Sequence, residues 1–127
     1  MSAFSNYLET AVLDHVFGSV TYTPPATRYL ALYTVAPTDT GGGTEVSGTA
    51  YARQTVAFTV SGDTASNTSA VEFPTAGSSW GTIVAVGVFD ASTSGNLLAY
   101  GNLTASKTIA SGDVFRVPAG DLDITLA

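Results

Sequence analysis

Apolar residues recur with a helical period at the start of the chain. Phe4, Leu8, Ala11, Val12, His15 and Val16 follow the i, i+4, i+7, i+8, i+11, i+12 pattern of one helical face. The pattern predicts an amphipathic helix over residues 3–17. Ser2, Ser5 or Asn6 can cap its start, Asn6 and Glu9 have capping-box spacing, and Gly18 suits its C-terminal stop. A helix with one apolar stripe is expected to lie on its own domain or against a neighbouring subunit.

After Gly18 the period changes to two. "SVTYT" reads as a short strand that runs into Pro24 and Pro25, where pairing ends. In "RYLALYTV" Tyr29, Ala31 and Tyr33 share one face and Leu30 and Leu32 the other. Residues 36–48 hold three consecutive glycines and read as a long flexible loop. "AYARQTVAFTV" alternates, which predicts Val56, Phe58 and Val60 inward. Further short strands follow in "TSAVEFP", "GTIVAVGVFD" and "LLAYGNLT", with "ASTSGN" as a hairpin loop that places Gly95 at the special backbone position. Three more are expected in residues 107–127, broken at Ser111-Gly112 and Ala119-Gly120. About eight short strands punctuated by turn signals imply a mainly β fold, a β-sandwich or jelly-roll-like barrel. The expected organisation is one domain over residues 1–127, with the helix at 3–17 and the β-sandwich at 20–127.

"SSWGTIVAVGVFD" is the most hydrophobic stretch and holds the single tryptophan, Trp80. Its apolar run is far short of the roughly 20 residues a membrane helix needs. It is therefore expected to be a central buried strand, with Trp80 packed at its entrance and Asp90 capping the following hairpin. Strict alternation puts Val84, Val86 and Val88 on one face and Ile83, Ala85, Gly87 and Phe89 on the other. Gly87 then marks a point where another segment or ring comes close.

Composition narrows the function classes. At 127 residues the chain is long enough to bury a core without metal or disulfide, and it has no cysteine. Charged residues are 11%, against about 25% in an average domain. The outer surface must therefore be largely Thr, Ser, Gly, Ala and Asn, which hints that part of it is covered in an assembly. Net charge is −6, and the four cations, Arg28, Arg53, Lys107 and Arg116, are scattered. Nucleic-acid binding needs clustered cations and is not expected. No secretory signal or membrane span is expected either.

Candidate chemistry is thin. His15 is the sole histidine, so any catalytic triad or multi-histidine metal site would have to use it. On the apolar stripe, a hydrogen-bonded packing role suits it better. Asp121 and Asp123 stand two apart and share a face in a strand, where paired carboxylates could do acid–base work or bind calcium. Calcium wants six or more oxygens and no loop has EF-hand spacing, so the better account is two solvated acids near a sheet edge. Asp113 suits turn hydrogen bonds with its own backbone. "GGGTE" lacks the following G-K-[ST] of a phosphate loop. Asn67-Thr-Ser and Asn102-Leu-Thr match the glycosylation pattern but have no secretory context. The tyrosines, Tyr7, Tyr22, Tyr29, Tyr33, Tyr51 and Tyr100, could line a sugar-binding groove, or serve as ordinary strand residues. No catalytic, cofactor or metal residue is assigned, and no cofactor is expected.

Over nearly its whole length the chain resembles a family of small tailed-phage virion proteins. The resemblance rests on "YLETAVLDHVFG", "PPATRYLALYT", "TEVSGTAYARQTV", "SNTSAVEFPTAGSSWGTIVAVGVFDASTSGNLLAYGNLT" and "SGDVFRVPAGDLDIT". Members are labelled tail-fibre-like, and related small β domains decorate capsids. The resemblance implies a non-enzymatic particle component, made in the bacterial host cytoplasm and located in the virion. The first expectation is a capsid decoration (cement) protein that clamps major capsid subunits as a dimer or trimer. The second is a tail or tail-fibre component beside neighbouring tail proteins, with a receptor- or sugar-binding role. The helix stripe and residues 36–48 are the candidate contacts between subunits.

Overall fold

The computed structural model describes residues 2–126. In chain order its elements are β1 (Ser2–Phe4), α1 (Asn6–Phe17), β2 (Arg28–Val35), β3 (Thr44–Glu45), β4 (Gln54–Val56), β5 (Phe58–Ser61), β6 (Thr64–Asn67), β7 (Val71–Glu72), β8 (Gly81–Phe89), β9 (Leu97–Ile109), β10 (Arg116–Val117) and β11 (Asp123–Thr125). The fold is mainly β with one helix near the N-terminus, as the patterning predicts. Several strands have only two or three residues, so the described elements exceed the eight expected.

The large sheet runs β1-β9-β8-β2-β3, with β4 also paired to β2. β8 lies between β2 and β9, both antiparallel to it, so the Trp80 stretch is the central strand the sequence suggests. Two smaller sheets, β11-β6-β5 and β10-β7, complete the described strands. The main core joins these layers. Leu30, Leu32, Ile83, Val86 and Val88 come from the large sheet, while Val71, Phe73 and Phe115 come from β7 and the segment leading into β10. Phe58, Val117 and Ile124 of the smaller sheets pack against it. A second cluster, Ala31, Tyr33, Ala85, Phe89 and Leu97, occupies the opposite face of the large sheet. β2 therefore has apolar residues on both faces, divided between alternate positions as predicted.

β8 follows its predicted alternation only from Ala85 onward. Ile83 belongs with Val86 and Val88, while Val84 packs with Ala85 and Phe89. The cause is a register irregularity against β9 between Ile83 and Ala85, where Lys107 and Asn102 are the successive partners. A bulge changes which face a residue meets, and nothing in a run of β-branched residues announces it.

The expected strand through residues 50–60 is divided at Ala57. β4 pairs with β2 in the large sheet, and β5 pairs with β6 in a small one. Val56 is buried, Phe58 is half-buried, and Val60 is 71% exposed rather than inward. The chain changes sheets here, so one alternation cannot serve both halves. "SVTYT" forms no strand, and β structure resumes only at Arg28. Residues 36–48 are more structured than a flexible loop: they contain β3, and Val46 enters the main core.

The helix starts later than residue 3. Ala3 and Phe4 pair with Tyr100 and Ala99 as part of β1. Ser5 is buried and anchored to β9, its N–H donating to the Leu98 carbonyl at 2.9 Å and its hydroxyl to the Leu97 carbonyl. The same hydroxyl oxygen accepts from the Leu8 N–H at 3.2 Å, which makes Ser5 the N-cap. The Asn6–Glu9 box is not used, because residue 5 is already fixed to the sheet.

The turn chemistry agrees with expectation. Asp90 accepts from the Asn96 N–H at 2.7 Å and from its side-chain amide at 3.0 Å, closing the hairpin. Gly95 inside it has φ +76°. Trp80 is buried just before β8 and donates its indole N–H to the Thr49 carbonyl at 3.0 Å. A Cβ on Gly87 would lie 3.0 Å from both Leu97 Cδ1 and Tyr33 Cε1. Gly87→Val therefore forces overpacking against both side chains. It should cost about 2 kcal/mol in urea unfolding, and an unchanged midpoint would show the crowding to be harmless.

Candidate functional site

The densest polar arrangement centres on Arg53, which immediately precedes β4. Its Nε lies 2.9 Å from Glu45 Oε2 and its Nη2 lies 2.9 Å from Glu45 Oε1, a bidentate pair. Its Nη1 donates to the carbonyls of Ala91 at 3.0 Å and Ser94 at 2.8 Å. The guanidinium also sits 3.7 Å from the centroid of the Phe89 ring. Tyr51 donates its hydroxyl to Glu45 Oε2 at 2.7 Å and accepts from the Leu32 N–H at 3.0 Å. One guanidinium thus joins β3, the start of β4 and the 90–96 hairpin.

Electrostatics fix the ionisation states here. Partial burial works to raise the Glu45 carboxyl, but hydrogen bonds from Arg53 and Tyr51 and the guanidinium charge outweigh it and hold it below the ordinary glutamate range. Burial, helped by the Glu45 charge, pushes the Tyr33 hydroxyl up to about 12, and Tyr51 is raised further by burial and its bond to Glu45. A carboxylate locked in an ion pair and two tyrosines that stay protonated make a structural clamp. The sequence gives no direct sign of it, since Glu45 follows a glycine run and Arg53 is one of four dispersed cations.

The residues singled out on the sequence are placed apart. His15 is exposed in the last turn of α1, where its Nδ1 accepts from the Tyr22 N–H at 3.1 Å. The hydrogen bond is as expected, but the packing is not. Asp123 lies on β11, an edge of the three-stranded sheet, and accepts from the Ser66 hydroxyl. Asp121 is exposed in the turn before it. Both border an open cleft of about 300 Å³ whose apolar wall includes Val86, Phe115 and Ile124. Among the described residues no group of three or more His, Asp or Glu could hold a metal ion. Asp113 bonds the Ala110 N–H at 2.9 Å, the local turn role expected.

The tyrosines do not share one groove. Tyr33 is buried and Tyr51 stacks on Phe73 with its edge toward Trp80. Tyr100 donates its hydroxyl to Asp39. Tyr7 and Tyr33 border one groove, and Tyr7 and Tyr22 another. Asn67, the first glycosylation-pattern residue, is 2% exposed. Its amide donates to the Ser69 and Pro118 carbonyls and its oxygen accepts from the Leu122 N–H, each at 2.9 Å. It is a structural pin for residues 118–122.

α1 departs most from expectation. Leu8, Ala11 and Val12 of the predicted stripe are half-buried, yet His15 and Val16 are exposed. Leu13 is 59%, Val16 60%, Phe17 81% and Val20 55% exposed. The helix thus ends in an uncovered apolar surface.

The Glu45 clamp predicts a defined acid response. A carboxyl whose folded pKa is lowered contributes stability above the ordinary glutamate range and loses it as pH falls through the folded value. Glu45→Gln should lower stability at neutral pH by about 3 kcal/mol and flatten the loss between about pH 5 and pH 3. Urea unfolding across that range measures both. A variant as stable as wild type at neutral pH would show that the pair contributes nothing.

No curated protein matches the chain. The family description that does match is "Podophage GP4 fiber I protein gp80", over residues 3–125. That span takes in every described strand bar the first residue of β1, together with α1, the Arg53 clamp and the Trp80 strand. It agrees with the resemblance carried by the turn and strand motifs. The chain belongs to the podophage GP4 fiber I protein gp80 family, a family of tailed-phage virion proteins.

Proposed function

We propose that this chain is a structural subunit of a phage tail fibre and performs no chemistry. The observation that carries the proposal is the family match across residues 3–125, whose description names a fibre. The virion is the place of such a protein, and the host cytoplasm is where it is made. The sequence alone ranks capsid decoration first and a tail component second. The fibre description supports the second of these.

The geometry supports a structural role. The Arg53–Glu45 ion pair, the more buried of the two among the described residues, is held by further hydrogen bonds and ties turns together. His15 bonds a backbone N–H on its own end of the molecule, and neither Asp121 nor Asp123 is joined to it. The partners proposed are neighbouring tail proteins and further copies of this chain, acting as one domain over residues 1–127. An antibody raised against the folded chain should label purified particles at the tail by negative-stain electron microscopy. Label spread over the capsid surface would return the protein to the decoration reading.

A further inference from the structure

Tyr7 and Tyr22 belong to neither core cluster. On α1, Tyr7, Thr10, Ala11 and Asp14 stand at i, i+3, i+4 and i+7 and so share one face. The chain folds back against that face after Gly18. The Gly18 and Val20 N–H groups both donate to the Asp14 carbonyl at 3.0 Å, and the Tyr22 N–H donates to His15 Nδ1 at 3.1 Å. The return leaves a preformed groove of about 500 Å³ between the helix face and residues 20–22, a size typical of small-molecule sites. Burial, then the proximity of Tyr7, raises the Tyr22 hydroxyl above its ordinary value, so the two phenols stand together at this groove. The polar side chains around them are uncommitted. Among the described residues, no hydrogen bond within the chain engages the side chains of Asn6, Thr10, Asp14 or Thr21, or either phenol. By contrast, Tyr51 bonds Glu45, Tyr100 bonds Asp39, and Thr59 and Thr82 bond Thr68 and Thr108.

We propose that the Tyr7–Tyr22 groove is a binding site for an uncharged or amine-bearing saccharide. A sugar ring presents C–H groups on its faces and hydroxyls around its edge. The C–H face meets the electron-rich face of a phenol ring. The hydroxyls both donate and accept, and Asn6, Thr10, Thr21 and the Asp14 carboxylate offer them partners of both kinds. A purely aliphatic ligand would instead desolvate these polar groups and leave them unpaired. Charge sets the subclass. Asp14 is the groove's one ionised side chain, and among the described residues no cation borders it, in a chain of net charge −6. An acidic sugar would bring like charges together, which opposes binding. The groove is a feature of the isolated chain, so the site does not depend on the fibre reading.

The test is titration of the nitrogen-15-labelled full chain, followed by its amide NMR shifts. The probes are maltotriose, chitotriose, the deacetylated amine form of chitotriose, and trigalacturonate. At least one of the first three should shift the amides of residues 6–14 and 20–22, with a Kd on the order of 1 mM, since the site is open and small. Trigalacturonate should bind at least tenfold more weakly than that probe. Tyr7→Ala should weaken binding at least tenfold, while Tyr7→Phe, which keeps the ring, restores most of it. The dispersion of the amide spectrum checks that each variant is folded. A wild-type chain that responds to none of the first three probes at about 20 mM would overturn the proposal. So would shifts centred away from the groove, a folded Tyr7→Ala variant that binds like wild type, or trigalacturonate that binds as tightly as the others. These outcomes leave the fibre assignment intact, since that stands or falls on where antibody labels the particle.

Discussion

A buried charge must be fully partnered, and the Arg53 guanidinium is where this chain meets that demand. Its side chain is 8% exposed, and desolvating it without partners would cost several kcal/mol. The fold therefore has to deliver a carboxylate, two carbonyls and an aromatic face to one point. Glu45 arrives on β3, the carbonyls of Ala91 and Ser94 on the hairpin after β8, and Phe89 at the end of β8 itself. These segments are far apart in sequence. Their meeting sets where residues 36–48 return to β2 and how the β8–β9 hairpin leans. Tyr51 extends the same network into the main core, where it stacks with Phe73 and meets Trp80 edge-on.

The clamp also accounts for a glycine-rich segment that behaves as part of the fold. Three glycines with positive φ reverse the chain before Thr44. They bring Glu45 under Arg53 and Val46 into the core within two residues. Composition reads such a run as a flexible loop because glycine lowers the cost of every conformation. It does not show that the residues on either side are held by long-range contacts. The tertiary contacts of Glu45 and Val46 override the local tendency.

The parts of the fold that were legible in the sequence are those set by period and turn chemistry. β2 and the end of β8 divide their side chains as the alternation says, and Asp90, Gly95, Gly87 and Trp80 act as their residue types and positions imply. The failures have specific causes. Ile83 and Val84 exchange faces at a bulge, Val60 turns outward where the chain changes sheets, and Phe4 joins a strand because Ser5 is fixed to β9. Each depends on which strand the segment pairs with and in what register, which local patterning cannot show. The Arg53–Glu45 pair was invisible for the same reason. The helical period marks the helix but only one of its faces, so it carries no sign of the exposed pair Leu13 and Phe17.

The shortage of charge links the interior to the exterior. Of four cations, one is drawn into the clamp, and Arg116 faces Glu72 across the β10–β7 pair at 3.8 Å. Of the ten acids in the chain, Glu45 and Glu72 are the partners in these two pairs, so the outer surface is acidic and otherwise dominated by hydroxyl, amide and small side chains. A surface like that discourages adhesion between copies almost everywhere. A contact between them is then confined to wherever the repulsion is locally absent and apolar area is available.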